Sequence, residues 1–215
     1  MSRIFLIPGL GADCRIYKNI DLTGHEVIQV NWIAPILNCT LEEYAQIIID
    51  QYHITKDSVV IGNSMGGMIA VEIAKKASPE KTIIISSIKI SDEAPWYFSL
   101  FRAIPVYKII PGKLFTSMGF IVKPMFGYMS NKDAALFIDM LENTSPVFAK
   151  WAMGAILNWK NTVVPANLYH ITGNKDLLFP FKNIRHAQII EGGTHIMIFD
   201  KGHEINKLLN DIINK

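Results

Sequence analysis

Residues 58–77 constrain this chain more than any other stretch, because they set a strand, a turn and a helix in immediate succession. Ser58-Val59-Val60-Ile61 is a short, apolar, β-branched run of the kind that forms a buried strand. Gly67 to Ala77 is rich in helix formers and closes on Ser78-Pro79. Between them lies Gly62-Asn63-Ser64-Met65-Gly66. Gly-x-Ser-x-Gly between a strand and a helix predicts a very sharp turn, with the serine in a strained conformation and its hydroxyl raised at the helix N-terminus. Glycine is needed at 62 and 66 because a β-carbon at either place would meet the neighbouring strand or helix. The start of the helix offers N–H groups and partial positive charge to a developing anion. A glycine-rich turn of this kind can also be structural or hold a phosphate, so the pentapeptide gains its meaning from residues further along.

The outer parts of the chain alternate strand and helix. Arg3 to Ile7 is a strand ending in Pro8-Gly9-Leu10-Gly11, and Val27 to Val30 is a second. Thr40-Leu41-Glu42-Glu43 predicts a capping box opening a helix whose Leu41, Tyr44, Ala45, Ile48, Ile49 and Tyr52 share one face. Thr82 to Ser86, Asn167 to Thr172 and Ala187 to Ile190 are further strands, and a last helix over about His203 to Ile213 turns Ile205, Leu208, Leu209 and Ile212 inward. Short apolar strands separated by helices imply a parallel sheet covered on both faces.

From about Ser91 to Thr162 the composition changes. Five prolines, from Pro95 to Pro146, punctuate helical pieces, and aromatics and methionines crowd between Trp96 and Met129. This stretch accounts for the mean hydropathy of +0.23, high for a chain without a membrane span. It reads as a helical cap inserted between two strands of the core, so that 1–90 and 163–215 form one domain and 91–162 its cap. Most of its aromatics should be packing, while some line a pocket, with Trp96, Phe126 and Trp151 as the candidates.

A serine hydroxyl needs a base within hydrogen-bond reach and a group that orients that base. Ile189-Ile190-Glu191-Gly192-Gly193-Thr194-His195 is a strand running into a Gly-Gly turn, which leaves His195 at the carboxyl edge of the sheet, where Ser64 must also lie. His25, His53, His170, His186 and His203 sit in loop, helix-end or strand contexts that favour structural or surface roles. Ile171-Thr172-Gly173-Asn174-Lys175-Asp176 repeats the strand-turn logic with a carboxylate, and Pro180 stiffens the exit. Asp92 and Glu93 are the rival acids, and the Gly-x-x-Asp turn favours Asp176. An oxyanion would be met by two backbone N–H groups, that of Met65 and one from the loop after the first strand, assigned to Leu10 with Gly11 in reserve.

Composition narrows the remaining classes. A net charge of +2 without a basic, aromatic-interleaved stripe disfavours nucleic acid. Met1-Ser2-Arg3 leads straight into a strand, and no apolar run reaches ~18 residues, so neither a secretory leader nor stable membrane insertion is expected. Cys14 and Cys39 form no disulfide framework or zinc spacing and read as reduced thiols of a cytoplasmic protein. The sequence supports no metal or nucleotide cofactor.

These features together resemble the α/β-hydrolase superfamily. The resemblance rests on Pro8-Gly9-Leu10-Gly11, Gly62-Asn63-Ser64-Met65-Gly66, Gly173-Asn174-Lys175-Asp176 with Pro180, and Gly192-Gly193-Thr194-His195, in the family's order across nearly the whole chain. It implies an α/β fold with a reduced, mainly parallel sheet of about six strands, flanked by helices and a short helical cap. This chain departs from the pattern in starting at the oxyanion-loop strand and in carrying Pro8 where a His is common. The resemblance implies a carboxylesterase or thioesterase working through an acyl-enzyme, and the apolar content of 91–162 favours a small apolar substrate. Ser64 would be the nucleophile, His195 the base and Asp176 the orienting acid. A small-ligand receptor with little turnover, a lyase or acyltransferase, and a lipid-surface enzyme are the other readings the same residues allow. The sequence leaves the oligomeric state open.

Overall fold

The computed structural model describes residues 1–36, 38–105, 127 and 129–214. Six parallel strands, β1 (Arg3–Ile7), β2 (Glu26–Gln29), β3 (Ser58–Asn63), β4 (Lys81–Ile85), β5 (Leu168–Gly173) and β6 (Gln188–Ile190), form one sheet in the order β2-β1-β3-β4-β5-β6. Strand order reverses after β2, and all carboxyl ends point the same way. Loops following β1, β3, β5 and β6 therefore meet along one edge, where open parallel sheets place their ligands.

Among the described residues the helices are α1 (Leu41–Tyr52), α2 (Met65–Ala77), α3 (Tyr97–Ala103), α4 (Asn131–Glu142), α5 (Pro146–Asn158), α6 (Met197–Asp200) and α7 (Gly202–Ile213). Because side chains alternate along a strand, the sheet feeds two cores. Phe5, Ile7, Val60 and Ile84 pack with α1, α2 and α5, whereas Ile4, Leu6, Val59, Ile61, Ile83 and Ile85 pack with α4 and α7. The central strands are buried on both faces and so are almost wholly apolar.

Local signals act as the sequence predicts. Thr40 Oγ1 accepts the Glu43 N–H at 3.2 Å, and the Glu43 carboxylate accepts the Thr40 N–H at 2.8 Å, completing the capping box of α1. Leu41, Tyr44, Ala45 and Ile48 are buried, while Ile49 and Tyr52 pack at the margin. The strand predicted over Val27–Val30 runs over Glu26–Gln29, because its ladder with β1 begins at Arg3 opposite Glu26.

The stretch between β4 and β5 contains α3, α4 and α5 among the described residues. Two ion pairs tie α4 to the 3-10 turn at Cys14–Tyr17: Arg15 with Asp139 at 2.7 Å, and Lys18 with Asp133. The indole N–H of Trp159, just after α5, donates at 2.7 Å to Glu72 of α2. Glu72 also takes the Lys75 ammonium at 2.8 Å, so this buried carboxylate is satisfied on both oxygens.

Candidate active site

The turn between β3 and α2 is as sharp as the glycines predict. Ser64 has φ 54° and ψ −120°, a conformation that costs a non-glycine residue energy and persists only where the surroundings hold it. A β-carbon on Gly62 would stand 2.2 Å from the Gly66 carbonyl oxygen, and one on Gly66 would stand 2.2 Å from that of Ile7. Both contacts are backbone on backbone and cannot be relieved by a rotamer change. The Ser64 N–H donates to the Ile85 carbonyl at 2.9 Å, and the Ser87 hydroxyl donates to the Ser64 carbonyl at 2.7 Å. β4 and the residues after it thus clamp the strained serine from the side.

The same device joins the two later loops. A β-carbon on Gly173 would lie 2.1 Å from the Gly193 carbonyl oxygen, so the turn after β5 packs backbone to backbone against the turn after β6. Lys175 N–H donates to that Gly193 carbonyl at 2.9 Å, and the Asn174 side chain accepts the Gly192 N–H at 2.8 Å. Asp176 and His195 are carried to the same point as Ser64. His195 Nδ1 lies 2.9 Å from Asp176 Oδ2, and His195 Nε2 lies 2.9 Å from Ser64 Oγ.

Asp176 and His195 are both buried, and Ser64 is half-buried. The second carboxylate oxygen, Oδ1, accepts the N–H groups of Leu178 at 2.9 Å and Phe179 at 2.8 Å, which fixes the plane of the carboxylate. Phe179 meets the His195 ring edge to face at 5.4 Å. Tyr97 donates its hydroxyl to the Leu178 carbonyl, and burial pushes that phenol above its usual range, so it stays neutral. A serine hydroxyl, an imidazole and an oriented carboxylate in this order can move a proton off the hydroxyl as it attacks.

On the other side of Ser64 stands the loop after β1. A β-carbon on Gly9 would come within 3.0 Å of the Ser64 β-carbon, so this backbone passes directly beside the serine, and Leu10 follows half-buried. Met65 is the first residue of α2, where a backbone N–H has no intrahelical acceptor. Gly11, at φ 77°, faces Leu141 of α4, whose Cδ1 would be 2.7 Å from an added β-carbon. The insertion therefore reaches down to this loop.

Ser64, His195 and Asp176 are thus brought together, and the two rival acids lie elsewhere. Glu93 is buried and paired with Lys89, and it also accepts the N–H groups of Lys89 at 3.0 Å and Arg185 at 3.1 Å. Asp92 is exposed. Of the predicted pocket aromatics, the two described ones make their contacts away from the serine. Trp96 is 78% exposed and stands edge-on to Tyr97. Trp151 donates its indole N–H to the Cys39 carbonyl at 2.6 Å, packs on Tyr44 and Phe148, and lines a cavity of about 780 Å³ between α1, α2 and α5. Phe126 falls outside the described residues. Phe179 touches the His195 ring and Ser87 the Ser64 carbonyl, and neither carries a motif of its own. The one available signal for Phe179 is its place three residues beyond the orienting carboxylate. His170, within β5, is fully buried beside Lys89, and burial first and that ammonium second lower it to about 3. Cys14 and Cys39 are buried and free, and burial pushes the Cys14 thiol up to about 12. No group of His, Cys, Asp or Glu able to hold a metal ion occurs among the described residues.

The sequence profile described as the alpha/beta hydrolase family matches residues 2–208. The chain belongs to that family. Solved hydrolase folds agree with it over the full length at low identity. An esterase from Exiguobacterium antarcticum is similar with a TM-score of 0.76 and 16% identity, covering 100% of this chain and 92% of that one. An enol-lactonase from Burkholderia xenovorans gives the same TM-score of 0.76, identity of 16% and coverage of 100% and 92%. A bromoperoxidase from Bacillus anthracis is similar at 0.73 with 14% identity, covering 100% and 92%. No protein with curated annotation matches the sequence. At these identities the structural likeness speaks for the α/β-hydrolase fold, and the chemistry has to be argued from this chain's own site.

Proposed function

We propose that this α/β hydrolase is a serine esterase or thioesterase that works through an acyl-enzyme. The reading rests on the chain of contacts from Ser64 Oγ through His195 to Asp176, at 2.9 Å and 2.9 Å, above a strained turn. Ser64 attacks the carbonyl carbon of the substrate while its proton passes to His195 Nε2. Asp176 keeps the Nδ1 proton in place and stabilises the imidazolium. The N–H groups of Met65 and Leu10 meet the oxyanion of the tetrahedral intermediate. His195 then returns its proton to the leaving alcohol or thiol. Water, deprotonated by the same imidazole, releases the acid and restores Ser64.

Residues 91–162 act in this reading as the cap over the acyl group; among its described residues, Leu141 approaches Gly11 and Phe98 packs on Phe179. Both are apolar, which favours an uncharged acyl chain, since an unpaired charge buried there would cost several kcal/mol. The two buried, free thiols suit a reducing compartment, and we place the enzyme in the cytoplasm.

The deciding experiment is fluorophosphonate labelling joined to p-nitrophenyl ester turnover. One labelled residue, Ser64, is expected, and Ser64→Ala abolishes both signals while the melting temperature holds. Labelling or turnover that survives Ser64→Ala refutes the proposal. In a series from acetate to hexanoate, kcat/KM rises by up to about fourfold per methylene, from ~0.8 kcal/mol each, until the pocket is full.

A further inference from the structure

We propose that Tyr97, the first residue of α3, is a positioning residue for the triad, its hydroxyl holding the one peptide group that helps to fix the Asp176 carboxylate. Its effect on turnover rests on the hydrolase reading, whereas its hold on the carboxylate rests on contacts alone.

The Tyr97 hydroxyl donates to the Leu178 carbonyl. That carbonyl and the Phe179 N–H are the two ends of a single planar peptide. The Phe179 N–H donates to Asp176 Oδ1 at 2.8 Å. Oδ2 of the same carboxylate lies 2.9 Å from His195 Nδ1, and His195 Nε2 lies 2.9 Å from Ser64 Oγ. One line of hydrogen bonds therefore runs from the phenol through a peptide, a carboxylate and an imidazole to the serine. Residues 177–180 belong to no strand or helix, so no ladder sets the tilt of that peptide. Turning it about the chain axis would carry the N–H away from Oδ1, and the hydroxyl at its far end resists the turn. Donation to a peptide carbonyl also polarises the group and strengthens its N–H as a donor.

The surroundings of Tyr97 separate the work of its ring from that of its hydroxyl. The ring stands edge-on to Trp96 and to Phe101, each at 6.1 Å, and a phenylalanine would make the same contacts. Next along the helix, Phe98 meets Phe179 at 6.2 Å, which seats α3 on the acid loop without the hydroxyl. Packing alone thus leaves the hydroxyl without a purpose, and the acid loop supplies one. Burial first and the nearby Asp176 carboxylate second push the phenol above its usual range, so it stays protonated and keeps its proton for the Leu178 carbonyl. The acid is carried by the loop after β5, but its orientation is set in part by a helix from the stretch between β4 and β5.

The hold is partial, because the Leu178 N–H also donates to Oδ1, at 2.9 Å, and does not need Tyr97. Tyr97→Phe should therefore loosen the carboxylate without releasing it, with a loss the size of one net hydrogen bond, about five- to tenfold in kcat.

The test is Tyr97→Phe made in the wild-type and in the Asp176→Ala background, assayed on p-nitrophenyl acetate below the melting of all four proteins, with proton NMR of the imidazole N–H. In the wild-type background kcat should fall about five- to tenfold with KM unchanged, and melting should fall by no more than about 4 °C. In Asp176→Ala the same substitution should cost less than about twofold, since the group through which Tyr97 acts is gone. The far-downfield proton on His195 Nδ1, bonded to Asp176, should shift or broaden in Tyr97→Phe. A hydroxyl that only supports the fold would lower melting and leave both kcat and that resonance in place, which overturns the proposal. An equal loss in both backgrounds, or a loss confined to KM, also overturns it, by assigning Tyr97 to the substrate. Absence of Ser64-dependent turnover in the wild type would refute the hydrolase reading instead, and the resonance then decides by itself whether Tyr97 holds the carboxylate.

Discussion

Replacing Asp176 by Asn separates orientation from stability, because the structure dictates which way the amide must turn. Asp176 Oδ1 accepts two backbone N–H groups, from Leu178 at 2.9 Å and Phe179 at 2.8 Å. An amide NH₂ in that position would face two donors, so in Asp176→Asn the oxygen stays there. The NH₂ then points at His195 Nδ1, 2.9 Å away in the wild type, and can only donate to it. His195 is forced to carry its proton on Nε2, where it faces Ser64 Oγ and can no longer accept the hydroxyl proton. Loss of the imidazolium's negative partner adds to the effect. The expected fall in kcat is on the order of 10³–10⁴-fold, or about 4–5.5 kcal/mol.

Stability should hardly move in this variant, since both bonds to Oδ1 survive. Asp176→Ala behaves differently: it leaves two buried N–H groups unpaired at about 1–3 kcal/mol each, and melting should fall by at least about 4 °C for a chain of this size. The assay is p-nitrophenyl butyrate turnover beside a melting curve for both variants. Asn is expected to melt near the wild type yet to be no more active than Ala. An Asn variant retaining more than a tenth of wild-type turnover would show that the carboxylate does not set the histidine tautomer.

Three further outcomes follow from contacts described above. Gly66→Ala puts a β-carbon 2.2 Å from the Ile7 carbonyl oxygen and should cost at least about 3 kcal/mol in urea denaturation, whereas Gly24→Ala, which meets nothing within 4 Å but sits at φ 89°, should cost only about 1 kcal/mol. Phe179→Ala removes the ring packed at 5.4 Å on His195 and should lower kcat by about tenfold with little change in KM on a short ester. His170, depressed to about 3 from 6.5, binds a proton more readily when unfolded, so stability is full above pH 6.5 and is lost as pH falls through the window from 6.5 towards 3, by up to about 1.4 kcal/mol per pH unit. His170→Gln should flatten that part of the stability–pH curve, and an unchanged slope would assign acid sensitivity to other groups.

The parts of this protein legible in its sequence are those written locally. Ser58 to Asn63 is a strand because it is apolar on both faces, and Gly62 and Gly66 flank a turn that only glycine can close. Asp176 and His195 could be placed because each follows a strand through a glycine turn, and parallel strands deliver such turns to one edge. The sheet count followed from the same alternation. What could not be read depends on the direction in which a helix faces once the chain is packed. Trp96 and Trp151 have the same chemistry and lie in the same insertion, yet one stands in solvent while the other packs on Tyr44 and Phe148. No periodicity separates them, since α3 is only seven residues long and most of α5 is apolar all round.

The buried polar cluster behind the site was hidden for the opposite reason. Lys89, Glu93 and His170 look like surface residues by type, and burying an ion pair seldom stabilises a fold by itself. Their contacts explain why they are there. Lys89 donates to the Arg185 carbonyl, and Glu93 accepts the Arg185 N–H at 3.1 Å, so the pair holds the end of the segment that begins at Asp176. Between those ends lie Leu178 and Phe179, whose N–H groups orient the carboxylate, and the Phe179 ring that rests on His195. An apolar replacement of Lys89 and Glu93 could fill the same volume, but it would take from the Arg185 N–H and C=O the partners that hold them and free that end of the segment. The pair is therefore tied to the geometry of the acid loop more than to the stability of the sheet, which is why it sits at the junction of β4, β5 and the first turn of the insertion.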